Sequence, residues 1–191
     1  GCEASPAPVN RPEPAKRALP GPPALPVAPS VAPAPAVAAW VAFRSERWDF
    51  AAEFPTPPAT EVVPLATAAG QLEMHIFSSE HDGRAYMISA LDGPTAGPGT
   101  PAKILDGARD GAVANIGGRL VAETQLLHSG LPARRIEIVA HPPEGEQRLI
   151  GLLILRERRL YQILVVAPSA APGLPEAAER FFAGLKIVGA G

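Results

Sequence analysis

The chain has 191 residues, with 17 Lys and Arg against 19 Asp and Glu, for a formal net charge of −2. This near balance excludes the basic field of a nucleic-acid binder, and no apolar run approaches the roughly 20 residues of a membrane-spanning helix. The single cysteine excludes an internal disulfide and any cysteine-rich metal site.

Eleven of the 24 prolines fall within residues 1–37, interleaved with Ala and Val. Such a segment holds neither a helix nor a central strand. It is predicted to be a disordered Pro/Ala-rich linker, extended in polyproline II and reaching roughly 100 Å at about 3.1 Å per residue. The remaining residues, 38–191, suit one α+β domain, which at that size buries roughly 68–70% of its unfolded surface. The linker carries a net charge of +1 (Arg11, Lys16 and Arg17 against Glu3 and Glu13), which leaves −3 on the domain.

Ahead of the linker stands Gly1-Cys2, a small residue followed by the chain's one cysteine. This pattern resembles the mature end of a bacterial lipoprotein, in which the signal peptide is removed before a cysteine that takes a diacylglycerol and an amide-linked acyl chain such as palmitate. The resemblance implies a membrane contact through acylated Cys2 and a cell-envelope location. Two or three acyl chains anchor stably, since each buried methylene contributes about 0.8 kcal/mol. Glu3 follows, where an aspartate is associated with retention in the inner membrane, so an outer-membrane destination is favoured in a host with two membranes.

Within the domain, Trp48, Phe50, Ala52 and Phe54 alternate along one strand face until Pro55, Pro57 and Pro58 stop it. Leu72, Met74 and Ile76 share a face of the next strand, with Glu73 and His75 opposite. Glu80-His81-Asp82-Gly83 is a turn, and Arg84 to Leu91 returns as the second strand of a hairpin. Thr100-Pro101 opens a helix, with Thr100 as N-cap. Ile104, Leu105, Ala108, Ala112 and Val113 keep helical spacing, Asp106, Arg109 and Asp110 are expected in solvent, and Gly117-Gly118 ends the helix. Four strands follow, at 119–127, 134–140, 148–155 and 160–167. The segment Leu149 to Leu155 is apolar on both faces and is placed in the sheet centre. A short helix begins at Pro175 and turns Ala178, Phe181, Phe182 and Leu185 toward the sheet. Residues 185–188 form a last strand.

Four segments carry a resemblance to a known family: Phe50 to Pro58, Ser129-Gly130-Leu131-Pro132, Arg159-Leu160-Tyr161, and Phe181-Phe182-Ala183-Gly184-Leu185-Lys186-Ile187. In this order, with a hairpin and a helix between, residues 45–188 resemble the PsbP-like α/β/α sandwich of bacterial envelope lipoproteins and photosynthetic organisms. The chain departs from the family at Ala133 and Arg135, where a second glycine and an acid are common. The resemblance implies an antiparallel sheet flanked by helices. It also implies a binding or assembly role with no shared catalytic residues.

Candidate chemistry is sparse. The histidines are His75, His81, His128 and His141, read as exposed or hydrogen-bonded at the rims of the fold; a zinc or copper site would have to assemble in space from His81, Asp82 and His141. Those three residues carry the alternative reading, an envelope hydrolase or metal-binding protein. Ser129 follows His128, but neighbours on a strand point to opposite faces and cannot pair directly. Cys2, in an extended tail, has nothing to lower its pKa. No enzyme activity and no cofactor are expected. The Arg134-Arg135 pair and the hairpin tip with Arg156, Arg158 and Arg159 are charge clusters that protect strand ends in solvent, and the tip is also a candidate contact for anionic headgroups or an acidic partner. Trp48 is expected in the core, and Trp40 over a sheet edge or in a partner groove. The partner expected besides the membrane is an envelope protein or a small ligand.

Overall fold

A computed structural model describes residues 39–67, 70–93 and 100–189. The elements run in the order β1 (Val41–Ser45), β2 (Phe50–Phe54), β3 (Ala59–Thr67), β4 (Gly70–His81), β5 (Arg84–Asp92), α1 (Pro101–Asn115), β6 (Gly118–His128), β7 (Leu131–Ala140), β8 (Gln147–Arg156), β9 (Arg159–Pro168), α2 (Leu174–Ala183) and β10 (Lys186–Ile187). Seven strands form one antiparallel sheet in the order β3-β4-β5-β9-β8-β7-β6, and three form a second in the order β1-β2-β10. The fold is thus α+β, an antiparallel sheet flanked by two helices, as the sequence predicts. Cys2 and the linker lie outside the described residues.

Alternating side chains on the large sheet feed two separate cores. On one face Ile150, Leu152 and Ile154 of β8 join Tyr161, Ile163 and Val165 of β9 beneath α2 and the small sheet. On the other, Leu149, Leu153 and Leu155 join Ile136, Ile138 and Leu164 beneath Leu105 and Ala112 of α1. β9 is the middle strand and β8 lies beside it, so β8 is apolar on both faces because both faces are covered. Gly151 leaves room for side chains of both strands flanking β8: a Cβ there would stand 2.7 Å from Leu164 Cδ2 and 3.1 Å from Ile136 Cγ1.

Both helices start as their caps dictate. Thr100 Oγ1 accepts from the Lys103 amide at 3.4 Å, with Pro101 in the first turn. Gly173, at φ +71, turns the chain into α2, whose Leu174, Ala178, Phe181 and Phe182 are buried. Gly117, at φ +58, ends α1 as the sequence predicts.

Two strands escape the sequence pattern. β1 has few buried positions, and β3 contains Pro64, which reads against a central strand. β3 tolerates it because it is an edge strand, where a missing N–H costs no ladder bond. The last strand is shorter than expected, only Lys186–Ile187 pairing with β2, while Leu185 stays buried as a side chain alone.

Candidate binding site at the Trp48 corner

Five elements meet at one corner of the fold: the turn between β1 and β2, the ends of β5 and β10, the start of β4, and the tip between β8 and β9. Trp48 lies at the centre, 4% exposed. Its carbonyl accepts from the Tyr161 hydroxyl at 2.8 Å, a buried bond that fixes the β1–β2 turn to the middle strand of the large sheet. Its ring packs on His75, centroids 4.8 Å apart. The guanidiniums of Arg159 and Arg47 lie 4.9 and 5.5 Å from its centroid, within range for a cation–π attraction.

Arg159 is held by two acids. It donates to both carboxylate oxygens of Asp92, at 2.8 and 3.2 Å, and to Asp49 Oδ2 at 2.9 Å. Asp49 adopts φ +50, and its carbonyl accepts from Val188 N at 2.7 Å. Arg156 donates to Val188 O at 2.7 Å and lies 4.0 Å from Asp49. The β8–β9 tip therefore fastens the small sheet to the large one.

The electrostatics follow from this pairing. Hydrogen bonds from Arg159 hold the Asp92 carboxyl below its ordinary value of 3.8, with partial burial opposing. The same bonds push the Arg159 guanidinium further up. Burial raises the Tyr161 hydroxyl, and the charge of Arg159 partly offsets the rise. A carboxyl lowered by folding contributes stability above its unfolded value and loses it as pH falls through the native value. The stability that the Asp92–Arg159 pair contributes is therefore present above pH 3.8 and is lost as pH falls through the lower native value. Following the Asp92 side chain by NMR should give a midpoint under 3.8, and Arg159→Ala should bring it back toward that value.

Beside this clamp opens a groove of about 410 Å³, lined by Arg47, Trp48 and Asp92 on one side and by Pro64, Gln71, Leu72 and Glu73 on the other. Arg47 and Glu73 are exposed, 67% and 66%, and stand 3.9 Å apart. Two buried polar atoms at this corner, Trp48 Nε1 and His75 Nε2, have no hydrogen-bond partner among the described residues, although His75 Nε2 stands 3.8 Å from Glu73 Oε2. Buried donors are nearly always satisfied, so the unpartnered indole N–H singles out Trp48 among the residues that line the groove. The groove sets the exposed guanidinium of Arg47 beside the carboxylates of Glu73 and Asp92 and the edge of Trp48, which suits binding a polar group.

The expected site residues fall as follows. Arg156 and Arg159 are engaged within the fold, while Arg158 stays exposed at the tip and its carbonyl accepts from Gly93 N at 2.8 Å. His81 and His141 do not meet. β4 and β7 are separated by β5, β9 and β8, four inter-strand steps of about 4.8 Å or about 19 Å in all. Asp82 is bound by Arg84 at 2.6 Å, and Arg84 also reaches the Pro172 carbonyl. Among the described residues no group of three or more His, Cys, Asp and Glu is placed to hold a metal ion.

Three expectations are corrected. His75 is not on a rim but buried against Trp48, because the small sheet covers that face of β4. Arg134 is 4% exposed, donating to Asp106, Glu123 and the Ala102 carbonyl. Asp106 and Arg109 accordingly belong to an ionic cluster under α1, Arg109 lying 3.0 Å from Glu123 and 3.2 Å from Asp106, rather than to a solvated helix face. Trp40 is partly buried against the protein's own core, on Tyr86 at 5.5 Å and Phe181 at 6.2 Å, with the Arg180 guanidinium 4.6 Å from its centroid.

No protein-family model matches the chain, and no curated protein matches it in sequence. Among solved structures it is similar to the solution structure of cyanobacterial PsbP (CyanoP) from Synechocystis sp. PCC 6803, with a TM-score of 0.56 at 7% identity, covering 83% of this chain and 98% of that one. The fold is PsbP-like. A crystal structure of PA94, a Pseudomonas aeruginosa protein of unknown function, also matches, with a TM-score of 0.43 at 14% identity over 62% of this chain and 91% of that one. In the PsbP-like frame, the four segments that carry the sequence resemblance become β2 and its proline stop, the β6–β7 turn, the start of β9, and α2 with β10. At 7% identity the likeness concerns the backbone fold alone.

Proposed function

We propose that the protein is a membrane-tethered lipoprotein of the bacterial cell envelope whose PsbP-like domain binds a partner protein or a small ligand without catalysing a reaction. Acylated Cys2 is the anchor, residues 3–37 are the spacer, and the Trp48 groove is the binding surface. The observation that carries the binding reading is the buried indole nitrogen of Trp48, without a hydrogen-bond partner among the described residues, in a side chain that lines a groove with Arg47 exposed at its mouth. The anchor rests on Cys2 as the one cysteine, set before a proline-rich segment. The separation of His81 from His141 supports a non-catalytic role over a hydrolase or metal-dependent one. Glu3 favours the outer membrane where two are present. Tethering raises the domain's effective concentration near membrane-bound partners, and the spacer sets its reach.

One purification tests both parts. Protein taken from membranes of the native host should carry the added mass of a diacylglycerol or triacyl group, lost in Cys2→Ser. An unmodified Cys2 in a soluble full-length chain would sink the anchor. Whatever binds the wild-type domain should bind Arg47→Ala at least about tenfold more weakly, roughly 1.4 kcal/mol, with the melting temperature unchanged. Equal affinity would move the binding surface elsewhere.

A further inference from the structure

Among the described residues the large sheet has two unpaired edges, and they differ. β3 carries Pro64 in mid-strand, a device that blunts an edge. β6 runs for 11 residues from Gly118 to His128 and is mostly exposed on both faces. Its only irregularity lies between Leu120 and Ala122, which leaves Glu123–His128 in regular pairing with β7. Half of the backbone N–H and C=O groups of an edge strand point away from its neighbour, so this stretch offers an unused ladder. Thr124–His128 bears no Lys, Arg, Asp, Glu or Pro, and within it Leu126 and Leu127 are 37% and 69% exposed. They line a groove of about 190 Å³ whose other walls include Ala102, Leu105, Gln125, Pro132 and Arg134.

We propose that β6 pairs antiparallel with β6 of a second copy of this chain, centred on Leu126, joining the two sheets into one. The register follows from the side chains. Gln125 and Leu127 share the face covered by α1, and Thr124, Leu126 and His128 share the other, since Gln125 lies opposite Arg134 and Leu126 opposite Ala133. Centring on Leu126 sets the two Leu126 side chains against each other and Thr124 against His128 of the second copy. It also sets Leu127 of the second copy against Gln125, at the groove, and the symmetry makes this insertion reciprocal. Centring one residue earlier would put Leu127 against Glu123, which is tied to Arg134 and Arg109. The chosen seam has no charged side chain, so like charges do not face each other across it. The chain's own N-terminal segment is a poor occupant, because eleven prolines in residues 1–37 remove donors that a ladder needs. Five paired residues a side bury less than the roughly 1,200 Å² of a standard interface, which makes this a weak dimer that confinement to a membrane surface would favour.

The test is sedimentation equilibrium of the full chain at concentrations up to about 1 mM, with hydrogen exchange at Thr124–His128. Leu126→Lys and Leu127→Lys place charge on the seam, and Val62→Lys places it at an exposed position of β3 as the control. A concentration-dependent dimer that slows exchange along Thr124–His128, weakened at least about tenfold by either β6 variant and untouched by Val62→Lys, is the expected result. A monomer at every concentration, a dimer that ignores both β6 variants, or a dimer lost in Val62→Lys overturns the proposal. A monomer that takes up an extended apolar peptide along β6 overturns it as well.

Discussion

Phe181→Ala should cost about 3–5 kcal/mol, the range for truncating a fully buried phenylalanine. Phe181 has no exposed surface, and it is the side chain on which the separate pieces of the upper core converge. From α2 it meets Phe54 of the small sheet at 5.2 Å and Tyr86 of the large sheet at 5.4 Å, both edge to face, with Trp40 at 6.2 Å. Edge-to-face pairs contribute about 0.5–1.5 kcal/mol beyond the area they bury, and alanine removes these contacts together. For a domain of this size each kcal/mol lowers the melting temperature by about 2–4 °C, so the expected drop is roughly 6–20 °C. Thermal and urea unfolding measure it, and a loss under about 1.5 kcal/mol would mean that α2 and the small sheet collapse onto the gap.

The ionic cluster under α1 gives the second large effect, with an asymmetry that identifies its cause. Asp106→Asn combined with Glu123→Gln removes both countercharges from Arg134, whose side chain is 5% exposed. A buried cation stripped of its partners costs about 3–5 kcal/mol, and Arg109 alongside adds repulsion. Removing the cation instead is far milder. In Arg134→Met, Asp106 and Glu123 are 42% and 23% exposed and still have Arg109, so the expected cost is under about 1.5 kcal/mol. Urea unfolding of the two variants decides the matter: equal losses would show that the cluster acts through packing rather than charge.

Hydrophobic period and punctuation made most of the architecture legible. The run from Leu149 to Leu155 announces a strand covered on both faces, Thr100-Pro101 starts a helix, and Gly117 stops it at the expected place. Elements whose identity depends on neighbours were hidden. β3 is a strand only because it lies at an edge that forgives Pro64, and β1 because β2 supplies its partner. The site was less legible than the fold. Trp48 could be assigned to the core from alternation, but its contacts with His75 and Arg159 cross 27 and 111 positions of sequence and leave no periodic trace. Arg134 illustrates the limit: beside Arg135 it reads as solvated charge, yet alternation sends the two to opposite faces. Arg134 lies under α1, and Arg135 bonds Glu179 on α2 at 3.1 Å. The neighbouring acids that bury one of them come from a helix 28 residues away and from the next strand.

The packing of Trp40 has a mechanical consequence. Tension transmitted along residues 1–38 enters the fold at this side chain, which is held between Tyr86, Phe181 and Arg180. Behind it comes β1, which pairs only with β2 and from its free end, Val41 opposite Phe54. A pull would first have to extract the partly buried indole, after which β1, held to the large sheet through Phe43 on Phe77 at 5.1 Å, would unzip from β2. The wedge thus sets the force at which the domain begins to yield, and the first part to yield is the strand whose loss leaves the large sheet intact.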